Sequence, residues 1–197
     1  MLLSTHASWL TSDGECRGHL RRRSSDWRRL DEFERLNTGG GVAKTADYIA
    51  RIIWTGDRGQ GTKQYRGYDR TWRIATDGKL PIECSNDPAL GGDPSKPNPE
   101  DLLLSSLASC HMLWFLHLAS NAGIVVRGYE DMPLGVGEIG MRGEGRFVRA
   151  ILRPVITAER GADLAKADAL HHAAHDYCFI SRSVNFPIAY EATYFEV

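Results

Sequence analysis

Apolar positions concentrate most heavily between Asn98 and Gly123, in the stretch NPEDLLLSSLASCHMLWFLHLASNAG. Leu102, Leu103, Leu104, Leu107, Met112, Leu113, Trp114, Phe115, Leu116 and Leu118 leave almost no polar face. Both ends carry helix signals. Asn98 suits an N-cap, Pro99 the first helical position, and Glu100 and Asp101 put negative charge in the first turn. Gly123 suits the stop. The pattern predicts one helix of roughly 24 residues, about 36 Å long. A helix apolar nearly all round belongs inside a protein. Ser105, Ser106, Ser109, His111 and His117 interrupt it too often for a membrane span.

Around this helix the period changes to two. Tyr48–Trp54 reads as a first strand, followed by a glycine-rich turn at Asp57–Thr62. That turn lacks the Lys-Ser/Thr ending of a phosphate-binding loop. In Tyr68–Ile74, alternation puts Tyr68, Arg70, Trp72 and Ile74 on one face, with Arg73 on the other. Arg70 is therefore a charge among inward-facing residues and needs a partner. Asp77-Gly78-Lys79 closes a hairpin onto Leu80–Cys84. Asn86–Pro97 is a loop. After the long helix, Ile124–Glu130, Glu138–Met141 and Arg146–Thr157 read as strands, Ala162–Cys178 as a second helix, and Phe186–Val197 as a final strand. Strands joined by hairpin-like links and interleaved with two helices predict an α+β fold with antiparallel sheet. No internal repeat is visible.

Length and composition narrow the picture. A chain of 197 residues defaults to one domain, and 42% hydrophobic content suffices for a core. Residues 1–46 differ from the rest: arginines cluster at 17–29 and Gly39-Gly40-Gly41 reads as a linker. We expect a flexible extension there, with a short helix at Asp26–Leu36, and the folded domain at 47–197. A net charge of −1, from 24 basic and 25 acidic residues, points to neither nucleic acid nor a membrane surface as partner. The start lacks a long apolar run of the secretory type, so a cytoplasmic location is expected. The four cysteines, Cys16, Cys84, Cys110 and Cys178, form no CxxC pair. In a reducing compartment, catalytic disulfides remain open while structural ones are disfavoured.

The chemistry-bearing side chains gather in two segments. Cys110 sits in the middle of the long helix, where a small core hydrophobe is the bland reading. The second segment is HHAAHDYCFISRS, His171–Ser183. There His171, His175 and Cys178 fall at i, i+4 and i+7, and His111 adjoins Cys110, so a zinc-type metal site is one reading. An exposed helix face with one core hydrogen bond is the other. A cysteine hydrolase with a histidine base is a third.

NPEDLLLSSLASC followed by YCFISRS resembles the OsmC/Ohr family of thiol peroxidases, from about Asp47 to the C-terminus. The SCHMLWFLHLA variant is similar to an OsmC-like subgroup. The resemblance implies an OsmC-like fold, with antiparallel sheets wrapped around long central helices in an intertwined homodimer. It implies a thiol-dependent peroxidase without a resident cofactor or metal, acting in oxidative stress defence. Glu100, Cys110 and Cys178 match the family motif: Cys110 as the attacking thiol, Cys178 as the resolving thiol that closes a Cys110–Cys178 disulfide, Glu100 as the group that orients an arginine. Strand parity selects Arg70 as that arginine. Met112, Leu113 and Trp114 would favour an organic hydroperoxide over hydrogen peroxide. The implied reductant is a dithiol such as protein-bound lipoamide. A metal-binding or noncatalytic redox-sensing protein of the same fold is the alternative.

Overall fold

The computed structural model describes residues 45–197 apart from Arg142; the predicted extension, its Asp26–Leu36 helix and Cys16 lie outside the described residues. Helix α1, Pro99–Asn121, starts and stops where its end signals put it. Asn98 Oδ1 accepts from the Asp101 amide at 2.8 Å, and Asp101 Oδ2 accepts from the Asn98 amide at 3.1 Å, a reciprocal capping box. At the far end Gly123 takes φ +75°, the left-handed conformation that ends helices. Helix α2, Leu164–Tyr177, is capped by Asp163, whose side chain accepts from the Lys166 amide.

Among the described residues, nine strands form three three-stranded sheets. β1 (Ile52–Trp54), β2 (Trp72–Ile74) and β3 (Ile82–Cys84) make an antiparallel meander. One of its faces aligns Ile52, Ile74 and Ile82 in one row and Trp54, Trp72 and Cys84 in the next. The other face carries Ile53 and the Arg73–Glu83 ion pair at 2.5 Å. β4 (Val126–Asp131), β7 (Pro154–Ala158) and β9 (Thr193–Glu196) form the second sheet, and β5 (Leu134–Ile139), β6 (Gly145–Leu152) and β8 (Ile188–Tyr190) the third.

The antiparallel pairing expected from short links holds for β1–β2–β3, β4–β7 and β5–β6. The last segment differs. Phe186–Val197 was expected as one strand; it splits into β8 and β9, which run parallel to β6 and β7. Helix α2 is the cause, because a helical crossover returns the chain in the same direction. The partner numbers differ by 38 from Ala150–Ile188 through Ala158–Glu196, so one register continues past the break. Arg153 Nε reaches Glu191 Oε2 at 3.3 Å at that break.

The core lies between α1, α2 and these two sheets. Leu107, His111, Phe115 and Ala119 recur every four residues on α1 and are buried. β5 approaches α1 so closely that a Cβ on Gly135 would stand 2.9 Å from Leu104 and 2.4 Å from Phe147. The rest of α1 departs from the expected interior helix. Only 28% of its most apolar 18 residues are buried, and Leu113 is 59% exposed. By length and composition α1 could also cross a bilayer, a property it shares with core helices of soluble proteins. The meander likewise leaves Ile52, Trp54 and Ile82 exposed on its apolar face. Among the described residues, these two apolar surfaces stand uncovered.

Candidate functional site

The two helices bring the thiols together. Cys110, at mid-α1, is half-buried; Cys178, the C-cap of α2, is fully buried, and both are free. They pack in one apolar cluster with Leu107, Leu152, Trp114 and Ile180. The chain then turns through Ser181–Ser183, a short 3-10 segment whose Ser181 amide donates to Cys178 Sγ at 3.3 Å. Trp114, one helical turn beyond Cys110, lies against Tyr177 with ring centroids 4.9 Å apart. An aromatic wall therefore flanks the thiol pair.

Burial pushes the Cys110 thiol up from its ordinary value. Cys178 adds to that rise, while the backbone amides of Ile180 and Phe179 oppose it by hydrogen-bonding the sulfur. Neither Arg70 nor Glu100 is among the groups acting on Cys110. Arg70 lies half-buried just before β2, its guanidinium 4.7 Å from the Tyr65 ring centroid, 5.3 Å from that of Tyr68, and beside Gly91. Its Nη2 donates to the Tyr65 carbonyl at 3.3 Å. The partner expected for this charge is thus aromatic, and no described carboxylate pairs with it. Glu100 is exposed in the first turn of α1 and has no ion pair among the described residues. Ten residues of unbroken helix separate it from Cys110, about 15 Å. The structure therefore joins Cys110 to Cys178 and leaves Arg70 and Glu100 apart from them within one chain.

The histidines do not form the metal set that their spacing suggested. Among the described residues, no three His, Cys, Asp or Glu side chains are placed to hold a metal ion. Cys178 ends α2 in extended geometry and turns toward Cys110, while His171 turns to His111. His111 Nε2 and His171 Nδ1 are 2.8 Å apart. This pair escaped sequence reasoning because its members stand 60 residues apart; the only hint was that His111 shares the four-residue stripe of Leu107 and Phe115. The amides of Phe179 and Ile180 had no sequence signal, being backbone groups.

A family model for OsmC-like proteins matches residues 92–192. Curated proteins give no match. Among solved structures, an OsmC-like protein of unknown function from Vibrio cholerae is 25% identical, with TM-score 0.68, over 75% of this chain and 99% of that one. An organic hydroperoxide resistance protein from Legionella pneumophila is 20% identical, with TM-score 0.54, over 76% and 98%. One from Elizabethkingia anophelis is 19% identical, with TM-score 0.54, over 78% and 100%. The last two share the fold. With the matched region running from the loop before α1, through both thiol-bearing helices, to the end of β8, the chain belongs to the OsmC-like protein family.

Proposed function

We propose that this protein is a thiol peroxidase that reduces organic hydroperoxides and works as a homodimer with shared active sites. The observation that carries the reading is the contact of two free thiols, one half-exposed at mid-helix and one fully buried, beside the Trp114–Tyr177 wall. The Cys110 thiolate attacks the peroxide ROOH, its sulfur takes one oxygen to become the sulfenic acid, and RO⁻ leaves and is protonated to the alcohol. Cys178 then attacks the sulfenic sulfur, forming the disulfide and releasing water. A dithiol reductant restores both thiols and is itself oxidised to a disulfide. The apolar and aromatic surroundings favour a substrate with an organic group.

Burial raises the Cys110 thiol, so turnover needs a cation to hold the thiolate. Arg70, oriented by Glu100 through a bidentate pair, is that cation. Both come from the second copy, which covers the exposed stripe of α1. Organic hydroperoxide resistance in the relatives from Legionella pneumophila and Elizabethkingia anophelis supports the substrate class.

The test is Cys110→Ser, assayed with cumene hydroperoxide, hydrogen peroxide and a dithiol. Wild type should consume cumene hydroperoxide faster than hydrogen peroxide, and the variant should lose at least about a hundredfold in rate. Activity within about tenfold of wild type would sink the assignment.

A further inference from the structure

The buried histidine pair has no part in the chemistry above, yet it bridges the two helices that carry the thiols. His111 follows Cys110 directly on α1. His171 lies two helical turns before Cys178 on α2, about 10 Å along the axis. We propose that the His111–His171 hydrogen bond is the positioning contact that holds Cys110 against Cys178 for disulfide closure. The proposal takes its physiological meaning from the peroxidase reading; its test does not depend on it.

The geometry is that of a directional pin. The rings are parallel within 3°, with centroids 5.1 Å apart and ring nitrogens at 2.8 Å. Two imidazoles meeting edge to edge in one plane give these three values together; a stack would bring the centroids closer. The His171 ring is held in turn by two further rings, Phe115 from α1 at 4.4 Å and tilted 17°, and Tyr190 from β8 at 4.7 Å and tilted 30°. His111 and His171 are 1% and 0% exposed, so water cannot substitute when the bond breaks. Elsewhere the contact between the helices is largely apolar and aromatic, from Leu107, Phe115 and Trp114 on α1 to Ala167, Ala174 and Tyr177 on α2. Such packing resists separation better than sliding or rotation. A hydrogen bond in a fixed plane resists both.

One facing nitrogen donates to the other, and burial keeps both rings neutral. The outer nitrogens, His111 Nδ1 and His171 Nε2, have no partner among the described residues. Among the described residues the pair's hydrogen bond is the one between its members, and losing it strips two buried ring nitrogens of their partner. That concentration on one contact suits a registration device and would be poor economy for packing alone.

The experiment uses the full chain with His171→Leu and His171→Asn. Asparagine can place an amide where Nδ1 stood; leucine cannot. After a pulse of cumene hydroperoxide, dimedone trapping reads sulfenic acid at Cys110, and peptide mass mapping reads the Cys110–Cys178 disulfide. H171L should form sulfenic acid within about twofold of the wild-type rate but close the disulfide at least about tenfold more slowly, and H171N should restore closure to within about threefold. In a second arm, diamide oxidation and equilibration with dithiothreitol give the effective concentration of the thiol pair. It should fall about tenfold in H171L and return in H171N. Unchanged closure in folded H171L overturns the proposal. So does an equal slowing of both steps, or an H171N variant as slow as H171L. If H171L does not fold, His111→Met removes the same bond from α1, with His111→Gln as its rescue, and the same readings decide. If wild type does not react with the peroxide, the peroxidase reading fails, and the diamide arm alone upholds or overturns the pin.

Discussion

At the scale of single residues, His111 and His171 carry a pH consequence in the acid range. Burial pushes both down to about 4, from the ordinary 6.5. Neighbouring histidines add to it: His171 and His175 for the first, His172 for the second. A histidine lowered on folding is neutral in the native state while its unfolded counterpart takes a proton. The unfolded chain then binds more protons between pH 6.5 and 4, so stability is complete above 6.5 and is lost as pH falls toward 4. Each histidine should withdraw about 2 kcal/mol between pH 6.5 and 4.5. Asp131, whose buried carboxyl is pushed up, works in the opposite sense. The control is therefore the double variant His111→Gln with His171→Asn. Urea unfolding at fixed protein concentration should show the slope in wild type and a nearly flat profile in the variant. Equal slopes in the two would remove the histidines as its source.

Single elements show what the residues dictate and where they stop dictating. The capping box at Asn98 and Asp101 sets the start of α1, and with it the places of Glu100 and Cys110. Asn98→Ala should cost about 1 kcal/mol in urea unfolding, from the loss of one cap, while the Cys110–Cys178 disulfide still forms on oxidation. A cost near zero would mean that the cap is redundant with the packing of α1. The ends of α1 were legible because Asn98, Pro99 and Gly123 act within a few residues of themselves. The two thiols stood out because they sit in specific motifs on two strongly patterned segments. The break between β8 and β9 was not legible, since Glu191-Ala192 offers neither glycine nor proline and parallel pairing depends on where α2 returns the chain. Arg146–Thr157 was read as one strand although Pro154 marks the break, because a single residue, Arg153, separates β6 from β7. The histidines left two readings open, a metal set and a helix face with one core hydrogen bond, because spacing on one helix says nothing of a partner on another; the His111–His171 bond answers to the second.

At the scale of the whole molecule, the two uncovered apolar surfaces and the two separated charges ask for the same remedy. Among the described residues, the stripe of α1 and the isoleucine-tryptophan face of β1–β2–β3 each lack a cover, Arg70 lacks a carboxylate and Glu100 a cation. Because α1 is unbroken, Glu100 cannot fold back on its own Cys110: about 15 Å of rise and roughly 80° of rotation separate them, and one arginine can scarcely bridge that gap. If two α1 helices cross antiparallel at a two-fold axis, Glu100 of one subunit approaches Cys110 of the other. Mixed dimers of Cys110→Ser and Glu100→Gln subunits, refolded together, test this. In a shared site the mixed dimer recovers one intact pair, the thiol of the Gln subunit with the carboxylate of the Ser subunit. Its peroxidase rate should therefore exceed that of both parents and approach about half the wild-type rate per dimer, one of two sites being whole. Native mass spectrometry should confirm the mixed species. If those dimers form and show no activity above their parents, each site is built within one subunit, and Glu100 acts only as a helix-start residue.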